Sequence, residues 1–177
     1  MPHLLKLFAI ITITFSAGYS FAALATAESD EFNGQTAPAF KFKAINGDEI
    51  DSAKLAGKPV VLSFLATWCI ACQNQVKELN KLKDSGGVVI GVAVDSIADP
   101  VNSKPEDGPK DLKKFTEDEK TQFAMAVALK SLCDDYHFKG IPMMVVIGPD
   151  GNIAKYFYGK QPAEKIAKVV QSLVKAK

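Results

Sequence analysis

The sequence predicts an α/β fold, and three features of its 177 residues do so. Two continuous apolar runs, Val60-Val61-Leu62-Ser63-Phe64-Leu65 and Val88-Val89-Ile90-Gly91-Val92-Ala93-Val94, suit strands buried on both faces. Stretches between and after them repeat their apolar residues at three- and four-residue spacing, as core-facing helices do. Strands and helices alternate along the chain, which is the order of an α/β domain. The length suits one domain with a core of its own and a removable segment, and no internal repeat is present.

Residues 1–27 read as a secretory signal peptide. Lys6 is the only charge, residues 7–27 are uncharged, and Ala25-Thr26-Ala27 ahead of Glu28 has the small-x-small form of a cleavage site; a cut between Ala22 and Ala23 is the alternative. The rival is an uncleaved membrane anchor, since 21 uncharged residues just reach across a bilayer. Thr12, Thr14, Ser16, Gly18 and Ser20 make the run a poor permanent span, and both readings export the domain. Residues 28–36 are polar and without period, and are expected to be a linker.

Residues 40–44 and 49–51, set about Asn46-Gly47, predict a β-hairpin, because Asn-Gly favours a tight turn with positive φ. Gly57-Lys58-Pro59 punctuates, strand 60–65 follows, and a helix then runs to about Lys83 before Ser85-Gly86-Gly87 ends it. After strand 88–94, residues 95–109 are polar and hold Pro100, Pro105 and Pro109, a long connection leaving from the sheet end that would border a site. A helix over 110–120, a short strand over 123–127 and a helix over 129–136 come next. Strand 143–147 turns at Pro149-Asp150-Gly151-Asn152 into residues 153–158, which alternate as an edge strand does. Pro162 opens a last helix with Ile166, Val169, Val170, Leu173 and Val174 on one apolar face.

The chemistry is concentrated in Trp68-Cys69-Ile70-Ala71-Cys72, where strand gives way to helix. A helix N-terminus carries partial positive charge and free N–H groups, which favour a thiolate, so Cys69 is the expected nucleophile with a thiol more acidic than free cysteine. Cys72 lies one turn on, in line with Val76 and Leu79, and is expected to be the shielded, resolving thiol. A CxxC also supplies half of many zinc sites, and Cys133-x-x-x-His137 would complete four ligands. The strand-to-helix context favours redox chemistry instead, and no metal is expected. Leu129, Leu132, Cys133 and Tyr136 repeat at helical spacing, so Cys133 reads as a buried, inert thiol.

Gly140-Ile141-Pro142 stands directly ahead of strand 143–147. With it, the chain resembles the thioredoxin superfamily, and more closely the TlpA/ResA-like exported thiol-disulfide oxidoreductases. The resemblance is carried by Ala37-Pro38-Ala39-Phe40, Asn46-Gly47, Gly57-Lys58-Pro59-Val60-Val61-Leu62, Ala66-Thr67-Trp68-Cys69-Ile70-Ala71-Cys72, Gly140-Ile141-Pro142 and Gly148-Pro149-Asp150-Gly151. It implies a thioredoxin fold over residues 37–177, a mixed central sheet flanked by helices with an N-terminal β-hairpin extension. It further implies a redox-active Cys69–Cys72 pair and a cis Pro142. Ile141 then stands opposite Cys69 with its backbone open to a substrate segment, and Trp68 shapes the contact surface. Reduction of particular protein disulfides, as in apocytochrome maturation, is the implied activity. Peroxide reduction is the weaker enzyme reading, because it depends on an arginine and this chain has none.

Two positions depart from the pattern. Ser63 stands where thioredoxins place a buried acid, and Gln75 where many TlpA/ResA-like proteins carry glutamate. Neither takes a full negative charge, which leaves water or Glu78 as proton acceptors for Cys72. Ile70-Ala71 also lacks the proline common in such motifs.

Composition excludes more than it assigns. The 47% apolar and 23% charged residues are ordinary for a globular protein. Loss of residues 1–27 would take Lys6 with it and bring the formal charge from +1 to zero, and all 21 basic residues are lysine. Nucleic-acid binding is therefore not expected. An exported dithiol needs something to keep it reduced, so the expected partners are a protein thiol or disulfide substrate and a redox protein. No bound cofactor is expected, the domain is expected to be monomeric, and membrane contact would come only through an uncleaved leader. The rival from another class is a non-catalytic thioredoxin-fold binding or metal-carrier module with a static disulfide, using residues 95–109 as its contact surface.

Overall fold

The apolar run 60–65 becomes the centre of the sheet in the computed structural model, which describes residues 28–98 and 108–175. Strands among the described residues are β1 (Glu28–Ser29), β2 (Lys41–Lys43), β3 (Glu49–Asp51), β4 (Val60–Leu65), β5 (Val88–Ala93), β6 (Ala124–Val127), β7 (Met143–Ile147) and β8 (Ile153–Tyr158). Helices are α1 (Ile70–Asn80), α2 (Asp95–Ala98), α3 (Gly108–Asp118), α4 (Lys130–Asp135) and α5 (Ala163–Lys175). The main sheet runs β1-β8-β7-β4-β5-β6. β4, β5 and β6 are parallel, while β7 is antiparallel to β4 and β8 to β7.

Every residue of β4 is buried because helices cover both faces of the sheet. On one face Val61 packs with Leu79 and with Ile166 and Val170 of α5, and Leu65 with Cys72, Val76 and Leu112. On the other, Leu62 and Phe64 pack with Phe40 and Ile50 of the leading hairpin and with Leu132, Cys133 and Tyr136 around α4. The hairpin is the expected one, β2 against β3 with Phe42 opposite Ile50. Its turn, with Gly47 at φ 94°, is anchored by Ile45 N–H donating to Met125 O at 2.8 Å.

Several expectations are corrected. Residues 28–36, expected as a linker, are bound along the sheet: β1 pairs with Tyr156 and Phe157, and Gly34 N–H donates to Ile153 O at 2.8 Å. Phe32 supplies the hold, stacked on His137 with centroids 4.4 Å apart and tilted against Tyr156 at 5.2 Å. A single aromatic gives no period to read, and the β8 edge it docks beside lies more than a hundred residues away. For the same reason β8 is not the bare edge expected of it. α1 ends at Asn80 rather than near Lys83, tightening into a turn in which Leu82 N–H donates to Leu79 O. Residues 95–98 are helical, where connection was expected, and α3 starts at Gly108 rather than Lys110. Val174 is 42% exposed, because eight residues beyond Ile166 the helix has turned about 80° from the core stripe. The leader expected over 1–27, and residues 99–107 of the long connection, lie outside the described residues. Among the described residues, no helix is long and apolar enough to cross a membrane.

Candidate active site

β4 delivers the chain, fully buried through Ala66, to a turn at Thr67 and Trp68, and Cys69 then caps α1. Its backbone is extended, at φ −88° and ψ 109°, and its carbonyl accepts from the N–H groups of Cys72 at 2.9 Å and Gln73 at 3.0 Å. The Cys69 Sγ occupies the place of a capping oxygen, accepting Cys72 N–H at 3.2 Å. The helix terminus thus points an amide directly at the sulfur. Cys69 is half-buried, with Trp68 50% and Ile70 74% exposed on either side.

Cys72, at 0% exposure, is shielded as expected. Burial pushes its thiol far above the ordinary range, and the hydrogen bond to Cys69 adds to this, while the Ala66 amide beside its sulfur pulls the other way. The two thiols are chemically unequal: one reachable and addressed by a helix terminus, the other dry and protonated.

The Ile141–Pro142 bond is cis. β7 begins with Met143 opposite Phe64, so Ile141 and Pro142 flank the end of β4, and Gly159 N–H holds the Pro142 carbonyl at 2.8 Å. Ile141 and Cys69 border the same apolar cluster around Leu65, Cys72 and Val76. Trp68, Cys69, Cys72, Ile141 and Pro142 therefore meet at one end of the sheet.

The two positions that depart from the family pattern are uncharged. Ser63 Oγ is buried with no hydrogen-bond partner, and Gln75, 1% exposed, accepts Gln161 N–H at 2.6 Å while its Nε2 stays unpaired. Glu78, read from the sequence as an alternative to water, is engaged elsewhere: its carboxylate accepts Ala163 N–H at 2.9 Å, caps α5 and pairs with Lys81 at 2.9 Å. Both contacts hold its carboxyl below the usual range.

Cys133 and His137 do not join Cys69 and Cys72. Cys133 packs on the opposite face of the sheet, 3% exposed, with burial raising its thiol to about 11, and His137 is stacked under Phe32. Sequence reasoning passed over Asp95. It bonds Thr67 at the turn before Cys69, and its signal was an acid directly after a buried parallel strand, at the end where such sheets place their sites.

Residues 33–156 match the AhpC/TSA family. The chain is 27% identical over 127 residues to the thioredoxin-like protein YneN of Bacillus subtilis, covering 71% of each chain. It is 25% identical over 145 residues to the thiol-disulfide oxidoreductase ResA of Bacillus cereus, covering 79% of this chain and 78% of that one. Over a shorter stretch of 60 residues it is 40% identical to the thiol:disulfide interchange protein DsbE of Pseudomonas fluorescens, a match spanning 33% of this chain and 34% of that one. Among solved structures, a thiol:disulfide interchange protein of Chlorobium tepidum superposes with a TM-score of 0.64 at 22% identity, over 78% of this chain and 95% of that one. StoA of Bacillus subtilis superposes at 0.61 with 23% identity, over 75% and 96%. These superpositions show a shared fold.

Proposed function

This chain belongs to the AhpC/TSA family and has the thioredoxin fold, and on that footing we propose that it is an exported thiol-disulfide oxidoreductase that reduces protein disulfides. The observation that carries the reading is the inequality of the two thiols: Cys69 half-buried at a helix cap, Cys72 fully buried one turn on. Cys69 attacks a substrate disulfide to give a mixed disulfide. Cys72 then attacks Cys69 Sγ, closing the Cys69–Cys72 bond and releasing the substrate thiol. Trp68 and Ile141 flank the reactive sulfur, and the Ile141 backbone ahead of Pro142 pairs with an extended substrate segment.

Export follows from the leader read in residues 1–27. A second redox protein returns electrons to the pair, no bound cofactor takes part, and the working unit is a monomer. The chain has no arginine, which weighs against peroxide as the substrate.

The test is the equilibrium of the pair in the mature domain against graded glutathione buffers, followed by Trp68 fluorescence and thiol trapping. A potential at or below about −250 mV is expected of a reductase, and one above about −180 mV would make the protein an oxidant or isomerase. No reversible transition at all would return the chain to a static binding module.

A further inference from the structure

We propose that Asp95 takes the proton that Cys72 must shed when it attacks the mixed disulfide, a role that rests on the thiol exchange set out above. β4 and β5 pair Leu65 with Ala93, and Val94 N–H donates to Leu65 O at 2.8 Å, so the same register carried two residues further brings Asp95 beside Thr67. There Asp95 Oδ1 accepts Thr67 N–H at 2.9 Å and, in a short hydrogen bond, the Thr67 hydroxyl. The preceding amide, that of Ala66, addresses the Cys72 sulfur. Consecutive amides at the end of β4 thus address the Asp95 carboxylate and the Cys72 sulfur, and the carboxylate charge acts on the thiol through space.

The second carboxylate oxygen, Oδ2, is buried and has no hydrogen-bond partner. A bare buried carboxylate oxygen is costly where it serves nothing. The other groups near Cys72 do not serve as acceptors. Ser63 and Gln75 have no basic atom at neutral pH, and Glu78 is committed to Ala163 N–H and Lys81. From α1, Cys72 is the titratable group on which the Asp95 charge acts. Across the cleft shared by Thr67 and Gln73, α3 presents Asp111, Lys114 and Asp118, with Glu119 just beyond its end. Lys114 is paired with Asp118, and Glu119 with Lys77. Among the described residues, no lysine forms an ion pair with Asp95.

The step balances without a further reagent. The Cys72 S–H bond breaks and its proton passes to the Asp95 carboxylate. The Cys72 sulfur bonds to Cys69 Sγ as the bond from Cys69 to the substrate sulfur breaks, and that electron pair leaves on the substrate thiolate. The protein dithiol is oxidised and the substrate disulfide reduced, and Asp95 then gives its proton to solvent or to the departing thiolate.

Reduced full-length domain mixed with one equivalent of dithiobis-nitrobenzoate releases two coloured thiolates, the first timing the attack of Cys69 and the second that of Cys72. Asp95→Asn keeps an oxygen for Thr67 and removes the titrating group. It is expected to slow the second release about a hundredfold near neutral pH, and to make that release proportional to hydroxide between about pH 5 and 8. Asp95→Glu is expected to restore the flatter wild-type profile. A second release in Asp95→Asn as fast as in the wild type, or slowed by one factor at every pH as a packing defect would do, overturns the proposal. Should that variant not fold, isotope-edited NMR of the Asp95 carboxyl in the wild type carries the test. Titration at a different pH in the dithiol and disulfide forms is expected, and an identical curve in both overturns it. A wild-type protein that gives no second release fails the thiol-exchange reading itself.

Discussion

At the scale of single residues, the two thiols of the site are set apart by water. Iodoacetamide at neutral pH is expected to label Cys69 quickly and Cys72 and Cys133 only on unfolding, which peptide mass spectrometry resolves; fast labelling of Cys72 would contradict its burial. Burial also makes stability depend on pH. The folded chain keeps Cys72 and Cys133 protonated well above the range where the unfolded chain ionises them, from about pH 8.5. Above that pH the unfolded state binds fewer protons, so the reduced protein loses stability as pH rises, by about 1.4 kcal/mol per pH unit for each thiol, and loses none of this below about pH 8. Urea melts at intervals from pH 8 to about 10 test this, with Cys133→Ala expected to halve the slope. The CxxC pair and the cis proline were legible because their chemistry is written in contiguous residues. Asp95 was not, because its meaning depends on a register across two strands that brings it to Thr67.

At the scale of elements, α5 starts on a cap borrowed from another helix. Its first N–H, that of Ala163, is satisfied by Glu78 of α1. Glu78→Ala should cost about 1 kcal/mol, read as a fall in the urea midpoint at unchanged m-value, and Glu78→Gln should recover part of it. A midpoint unmoved by Glu78→Ala would mean that water caps the helix equally well. β4, β5, β7 and most helices could be read from the chain because each buries a local pattern of its own. Element ends were less legible. α1 stops at Asn80 and Val174 turns outward because the extent of the sheet, a tertiary quantity, decides where a helix still has something to bury.

At the scale of the whole molecule, residues 28–36 close the β8 side of the sheet through Phe32, the Glu31–Lys139 pair and the β1 ladder. Removing them should leave the fold standing but lower its stability by about 1–2 kcal/mol, and should make the domain self-associate through the bared β8 edge. Chemical melts and sedimentation velocity check both parts, and a truncated domain as stable and monomeric as the longer one would sink the expectation. The same strand order fixes an orientation. β1 begins at Glu28 opposite Phe157 and runs down against β8, which climbs to the end of the sheet where β4 delivers Cys69. Glu28 therefore lies at the dithiol end, three strands and roughly 14 Å across from β4, whereas α5 carries Val174 down beside Gly86, ahead of β5. A support gripping this protein ahead of Glu28 would turn its reactive thiols inward, toward whatever does the gripping, and one gripping it beyond Lys175 would turn them outward to the bulk.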